Sequence, residues 1–212
     1  MGKYYSPTQN VSVMFKPTIR QVKKVLAQKN YQFFEGGKSY KLNIIGIRSA
    51  SLRTDIFNET LMVIFEDELE EQIVVYYPCT TKAGLYYLKN PLHPDGCAIT
   101  AEGQYIDAFI KRIHNKSYDA LCQDRAIDFY RDANKNEKAE LLGKLLTGRI
   151  GLNIHREDIN KVAQKIGKYS AGCCVIQSGF ESFMFLVDMA IKNHGNRFTY
   201  TLINESDFYP KD

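Results

Sequence analysis

Apolar positions recur along this chain with two different periods, and the helical one comes first. Between Pro17 and Asn30, Ile19, Val22, Val25 and Leu26 share one face of a helix, with Pro17 suited to the first turn. The opposite face carries Arg20, Lys23, Lys24 and Lys29, a charge stripe that reads as a solvated surface. After the Gly36-Gly37 turn signal, β-branched and aromatic residues dominate Tyr40–Ile47, Leu61–Glu66 and Gln72–Tyr77, which predict a strand and then a hairpin. The acidic stretch Glu66–Glu71 separates the hairpin's arms. Further strands are expected at Gly84–Leu88, Gln104–Phe109, Ala120–Gln123 and Ala126–Tyr130. From Lys138 the pattern predicts a helix over Ala139–Leu146, a strand over Arg149–His155, and a helix or helical loop over Glu157–Ile166. A helix over Phe180–Lys192, stopped near Gly195, and a strand over Arg197–Ile203 end the chain. Phe180, Phe183, Met184 and Val187 recur at helical spacing, which is core behaviour. The fold class is therefore mainly β with a few helices (α+β): a helical N-terminal extension over residues 1–36, then one compact domain over 37–212.

Composition narrows the functional classes. At 212 residues and 44% hydrophobic content the chain can bury the core of one domain. Its 28 basic and 24 acidic residues leave a formal charge of only +4, dispersed along the sequence, so charge names no partner and supplies no nucleic-acid-binding stripe. No stretch approaches the roughly eighteen apolar residues of a membrane span. No apolar run of signal-peptide length follows Met1-Gly2-Lys3-Tyr4-Tyr5, so cytoplasmic synthesis without a signal peptide is expected. Five cysteines, Cys79, Cys97, Cys122, Cys173 and Cys174, are odd in number and unevenly spaced, which argues against a disulfide framework and leaves at least one free thiol.

The densest chemistry lies in Gly151-Leu-Asn-Ile-His155, a gap of fourteen residues, and Ser170-Ala171-Gly172-Cys173. A strand ending on histidine and a small-residue turn ending on cysteine are the parts of a thiol nucleophile with its base. The imidazole of His155 would take the thiol proton of Cys173. Gly172, lacking a Cβ, would let the N–H groups of Gly172 and Cys173 turn toward a developing oxyanion. Ser170 would fix the turn or bond the substrate carbonyl.

This segment resembles the signature of the L,D-transpeptidase (YkuD-type) family: a histidine, a spacer of this order, then Ser/Thr-His-Gly-Cys. The matching positions are His155, Ser170, Gly172 and Cys173. The resemblance implies a β-sandwich catalytic domain in which the cysteine attacks a carbonyl of a peptidoglycan stem peptide through a thioester, with no cofactor. It also implies that the carbonyl of Arg156 orients the histidine ring. Upstream, Cys79-Thr-Thr-Lys82-Ala-Gly84-Leu-Tyr86 is similar to a worn form of a second family stretch beside the site. Two departures stand out: Ala171 replaces the family's second histidine, and Val175 replaces the Arg or Asn two residues after the nucleophile. Contacts to a substrate carboxylate would then fall to Arg149, Arg156 or Lys82. The resemblance implies a hydrolase or transpeptidase, with a phage-encoded lysis or virion enzyme acting at the cell wall as the expected setting. The alternative is a structural or virion interaction protein that keeps the fold without the chemistry.

Other residue types invite other readings. His155, Cys173, Cys174 and His194 are zinc-type ligands, but adjacent cysteines rarely share one ion and no C-x-x-C pair occurs, so no metal is assigned. Cys174 should point into the core, opposite Cys173. The run Asp132-Ala-Asn-Lys-Asn136-Glu137 has calcium-loop oxygens but not the loop's glycine and terminal glutamate, and reads as a hydrated turn. His93 and His114 read as surface residues, with His93 at the rim of a cleft.

Overall fold

The computed structural model describes residues 14–158 and 160–210. Residues 1–13 of the expected N-terminal extension, Ile159 of the expected 157–166 helix and the last two residues of the 37–212 domain lie outside them.

The first helix, α1 (Ile19–Gln28), begins at a capping box in which Thr18 accepts from the N–H of Gln21 and the Gln21 side chain accepts from the N–H of Thr18. Three strands follow: β1 (Asn43–Arg48), β2 (Glu59–Glu66) and β3 (Gln72–Thr80). Alternation sorts their side chains. Ile44, Leu61, Val63 and Tyr77 join one buried cluster, while Ile45, Ile47, Met62 and Ile64 join a second one with Val22, Val25 and Leu26 of α1. The helix thus covers the outer face of strands that are buried on both sides, which explains why β1 reads as a near-continuous apolar run.

Next come α2 (Leu85–Lys89), β4 (Cys97–Thr100), β5 (Gly103–His114), β6 (Tyr118–Gln123), β7 (Ile127–Asp132), β8 (Leu146–Gly148), β9 (Ile154–Arg156) and β10 (Cys174–Ile176). The chain continues through α3 (Phe180–His194) and β11 (Phe198–Asn204) to a 3-10 turn at Glu205–Phe208. Eight strands close into a barrel in the order β1-β11-β5-β6-β9-β10-β3-β2, and a separate three-stranded sheet runs β4-β7-β8. The mainly β class read from the pattern stands. In place of the two stacked sheets that the resemblance implied, the main sheet closes on itself because β1 pairs in parallel with β11 and antiparallel with β2, leaving no open edge there. The α3 stripe of Phe180, Phe183, Met184 and Val187 packs into the same interior cluster as the barrel's inward residues. No helix among the described residues is long and apolar enough to cross a membrane.

Four expected elements differ, the first being 157–166, whose described residues form bends where a helix or helical loop was expected. Gly84–Leu88, expected as a strand, lies largely in helix α2, since a five-residue apolar run carries no decisive period. No helix forms over 139–146: Gly143 adopts φ +72°, Leu141 and Leu145 stay exposed, and Leu146 enters β8. The expected strand over 149–155 shrinks to β9, because Gly151 turns to φ +80°. There the fully buried Gln123 side chain replaces the ladder, its Oε1 accepting from the N–H groups of Ile150, Gly151 and Leu152 at 3.1, 2.8 and 3.0 Å.

Candidate functional site

The two halves of the sequence motif meet on adjacent strands. β9 and β10 run parallel with Cys174 opposite Ile154 and Val175 opposite His155. Cys174 and Ile154 both belong to the interior cluster, and the strand's alternation puts His155 on the far side; Cys173, one residue before β10, falls on that side too. Cys174 points inward beside Cys79, and all five thiols are free.

The turn before Cys173 is shaped by glycine. Gly172 sits at φ +128°, and a Cβ there would lie 2.5 Å from the carbonyl oxygen of Ala98 on β4. Ser170 is fully buried; its hydroxyl donates to the carbonyl of Cys173 at 2.9 Å and accepts from the N–H of Gly172 at 3.1 Å. Ser170 therefore fixes the turn and has no surface for a substrate carbonyl. The same bond occupies the Gly172 N–H that was expected to serve an oxyanion; at this turn the Cys173 N–H is left without a partner among the described residues.

The half-buried Cys173 opens onto a cleft of about 390 Å³ that Cys97, Ala98, Ala171, His93 and Arg131 also line. Its Sγ accepts from the N–H of Asn153 at 3.4 Å and its thiol donates to the carbonyl of Gly151 at 3.5 Å. Although one side of the residue meets the cleft, the thiol lies deep among protein atoms. That burial pushes its pKa up to about 11, against a smaller lowering by the Asn153 N–H.

His155 is buried, and its Nδ1–H donates to the Arg156 carbonyl at 2.7 Å. That bond leaves the Nε2 lone pair bare, the tautomer a general base needs. Tyr118 Oη lies 3.4 Å from the same Nδ1 and donates to the same carbonyl at 3.3 Å. Burial first, then the neighbouring His114, hold the imidazole down to about 4, with the Arg156 carbonyl opposing them. The His114 ring stacks on it with centroids 4.5 Å apart and planes 18° off parallel. His114 is itself buried, not the surface residue expected, and burial lowers its pKa. Two amides meet its ring: Asn153, whose Oδ1 accepts from the N–H of Gln123, brings its nitrogen to 3.2 Å from His114 Nδ1, and the Asn115 amide lies 3.0 Å from Nε2. With both imidazoles and the thiol uncharged near neutrality, the thiol is held by backbone groups and not by His155, which is absent from its hydrogen-bond partners.

The three cations expected to hold a carboxylate are placed elsewhere. Lys82 is buried in an ion pair with Glu59 at 2.7 Å and also donates to the carbonyls of Ser49 and Ser51, so it cannot meet a ligand. Arg156 lies 4.1 Å over the Tyr118 ring and 3.7 Å from Glu181. Arg149 donates to the carbonyl of Asp124 at 3.2 Å. None of the three lines the cleft, whereas Ala171, Arg131 and the exposed His93 do. Cys97 donates its thiol to the Ala171 carbonyl at 3.7 Å. Arg131, His114, Asn153 and Tyr118 escaped the sequence reading. Among them the sequence singles out only His114, as a surface residue, because the strand expected there ends at Phe109.

The zinc-type residues do not converge: Cys174 faces the interior, and His194 bonds the carbonyls of Lys38 and Ser39 at the end of α3. Among the described residues no group of three or more His, Cys, Asp or Glu side chains could hold a metal ion. In the Asp132–Glu140 loop, Asn134 and Asn136 both donate to Glu140, and Asp132 accepts from backbone N–H groups, as in a hydrated turn.

Comparison with protein-family models, with curated proteins and with solved structures found no match in any of the three.

Proposed function

We propose that this chain is a cysteine-dependent acyl-transfer enzyme acting on peptidoglycan stem peptides, a divergent relative of the L,D-transpeptidases. One observation carries the reading: a cysteine that borders a cleft heads one strand, and the parallel neighbour holds a histidine whose Nδ1–H is tied to the carbonyl of the next residue. In this reading the Cys173 side chain turns from the Gly151 carbonyl toward His155. As Sγ bonds to the substrate carbonyl carbon, Nε2 takes the thiol proton and returns it to the leaving amine. Water or a second amine then resolves the thioester, releasing the acid or a new cross-link. A neutral pair at rest requires proton transfer during attack, not a standing ion pair.

The test is incubation of the purified chain with a carbapenem, followed by intact mass and peptide mapping. Wild type should gain one acyl adduct at Cys173, and Cys173→Ala none. A wild type that stays unmodified while an alkylating agent still reaches Cys173 would remove the acyl-transfer reading. Separation of muropeptides after digestion of sacculi would then tell cutting from cross-linking.

The second reading, an interaction protein that has kept the scaffold without the chemistry, is favoured by a specific feature. The thiol proton goes to a backbone carbonyl, and the imidazole is stacked and buried. Unmodified Cys173 together with unchanged muropeptides would establish it.

A further inference from the structure

The cleft beside Cys173 carries a fixed positive charge that neither the motif nor its flanking residues predict. Arg131 on β7 lines it, and no carboxylate does so among the described residues. The other lining groups near the thiol are apolar or backbone: Ala98, Ile150, Leu152, Ala171 and the glycines at 96 and 151. The guanidinium is held from two sides. Its Nη1 donates to the Gly96 carbonyl at 3.2 Å, and its carbon lies 5.0 Å over the Phe129 ring. Nε and Nη2 make no hydrogen bond among the described residues, so the fork keeps donors for a ligand. The neighbouring Asp132 opposes this charge at the Cys97 thiol but makes no bond to the guanidinium. That carboxylate is 1% exposed and accepts from the N–H groups of Asn134 and Glu140.

Cation and nucleophile are tied together by a single strand. Ala98 on β4 stands in register with Arg131 on β7, and the carbonyl of the same Ala98 packs against Gly172, the residue before Cys173. A shift of one would move the other.

We infer that Arg131 is the specificity-determining cation of this cleft, and that it holds a carboxylate of the acyl donor beside the thiol. The preferred donor is then an acyl group bearing a free carboxylate close to the scissile carbonyl, and amidated or neutral counterparts are poorer ligands. This rests on the acyl-transfer reading for the word donor, while the preference for anions stands on the geometry of the cleft.

Paired alkylating probes test it without requiring turnover. Iodoacetate and iodoacetamide differ in charge, and each replaces the thiol proton by an alkyl group with loss of iodide. Their rates at Cys173 are followed by peptide mass mapping on the full chain and normalised to free glutathione. Wild type should favour iodoacetate, Arg131→Gln should lose about five- to tenfold of that preference, and Arg131→Lys should retain part of it. An unchanged ratio in Arg131→Gln overturns the inference. Should that variant fail to fold, wild type alone decides: the preference must shrink as salt screens the charge, and a ratio near one at low salt overturns the inference equally. Failure of the two proposals is distinguishable. Anion preference without carbapenem acylation supports the Arg131 site and removes the enzyme reading; acylation without anion preference removes only the role of Arg131.

Discussion

At the scale of single residues, burial decides more than sequence neighbours do. Two partners, a backbone N–H and a carbonyl, surround the Cys173 sulfur, and burial pushes the thiol up to about 11. Alkylation of Cys173 should therefore speed up steadily between pH 7 and 10 and show no plateau near neutrality, because only the thiolate reacts. A rate already flat below pH 7 would mean that an imidazolium partner holds the thiolate after all. His155 bears on stability in the opposite direction of pH. Its folded value of about 4 lies below the unfolded value near 6.5, so the unfolded chain binds more protons in that interval. The contribution is complete above about pH 6.5 and is lost as pH falls toward 4, to a total on the order of 3 kcal/mol. Thermal melting from pH 7.5 to 4.5 should consequently fall more steeply for wild type than for His155→Gln. Equal slopes would assign the acid sensitivity to other groups.

At the scale of elements, short strands depend on side chains that stand in for a ladder. β9 and β10 each span three residues, and the approach to β9 is pinned by three backbone N–H groups on one Gln123 oxygen. Gln123→Leu keeps much of the volume and removes the acceptor of all three, stranding the buried Leu152 N–H while those of the exposed Ile150 and Gly151 can turn to water. A loss of about 2–4 kcal/mol in urea unfolding is expected, with slower alkylation or acylation of Cys173 as the segment bearing Gly151 and Asn153 loosens. A variant as stable as wild type would show that water or another carbonyl takes over. The same dependence explains why this strand was drawn too long from its apolar pattern. The φ of +80° at Gly151 is permitted by a glycine, but what makes it worthwhile is a glutamine 28 positions upstream.

At the scale of the whole molecule, barrel closure places a charge pair where no water reaches. Glu59, at the start of β2, and Lys82, just past β3, are 1% and 3% exposed and meet at 2.7 Å. Glu59 also accepts from the N–H groups of Ser49 and Thr81, tying the segments after β1 and β3 to β2. Lys82→Met alone should destabilise the protein by about 3–5 kcal/mol, since it strands a buried carboxylate. The double variant Glu59→Leu/Lys82→Met should recover much of that in urea unfolding. If the double variant is no more stable than the single one, hydrogen bonding by Glu59 outweighs its charge.

Local pattern was sufficient for α1, α3, β2 and β11, because each shows its own period and its own stop signal over enough residues to be read alone. Pattern also put His155 at a strand end and Cys173 after a small-residue turn on what prove to be neighbouring strands, yet the thiol makes no bond to the ring, and the Arg156 carbonyl on Nδ1 was implied by the family resemblance and not by spacing. Tertiary structure alone decided that the sheet closes, that Lys82 is sealed away from any ligand, that His114 stacks on His155, and that Arg131 lines the cleft onto which Cys173 opens. The physical reason is distance along the chain. Arg131 and Cys173 lie 42 positions apart and His114 and His155 lie 41 apart, so the burial and charge that tune the site exist only once β4, β7 and β9 have been brought together.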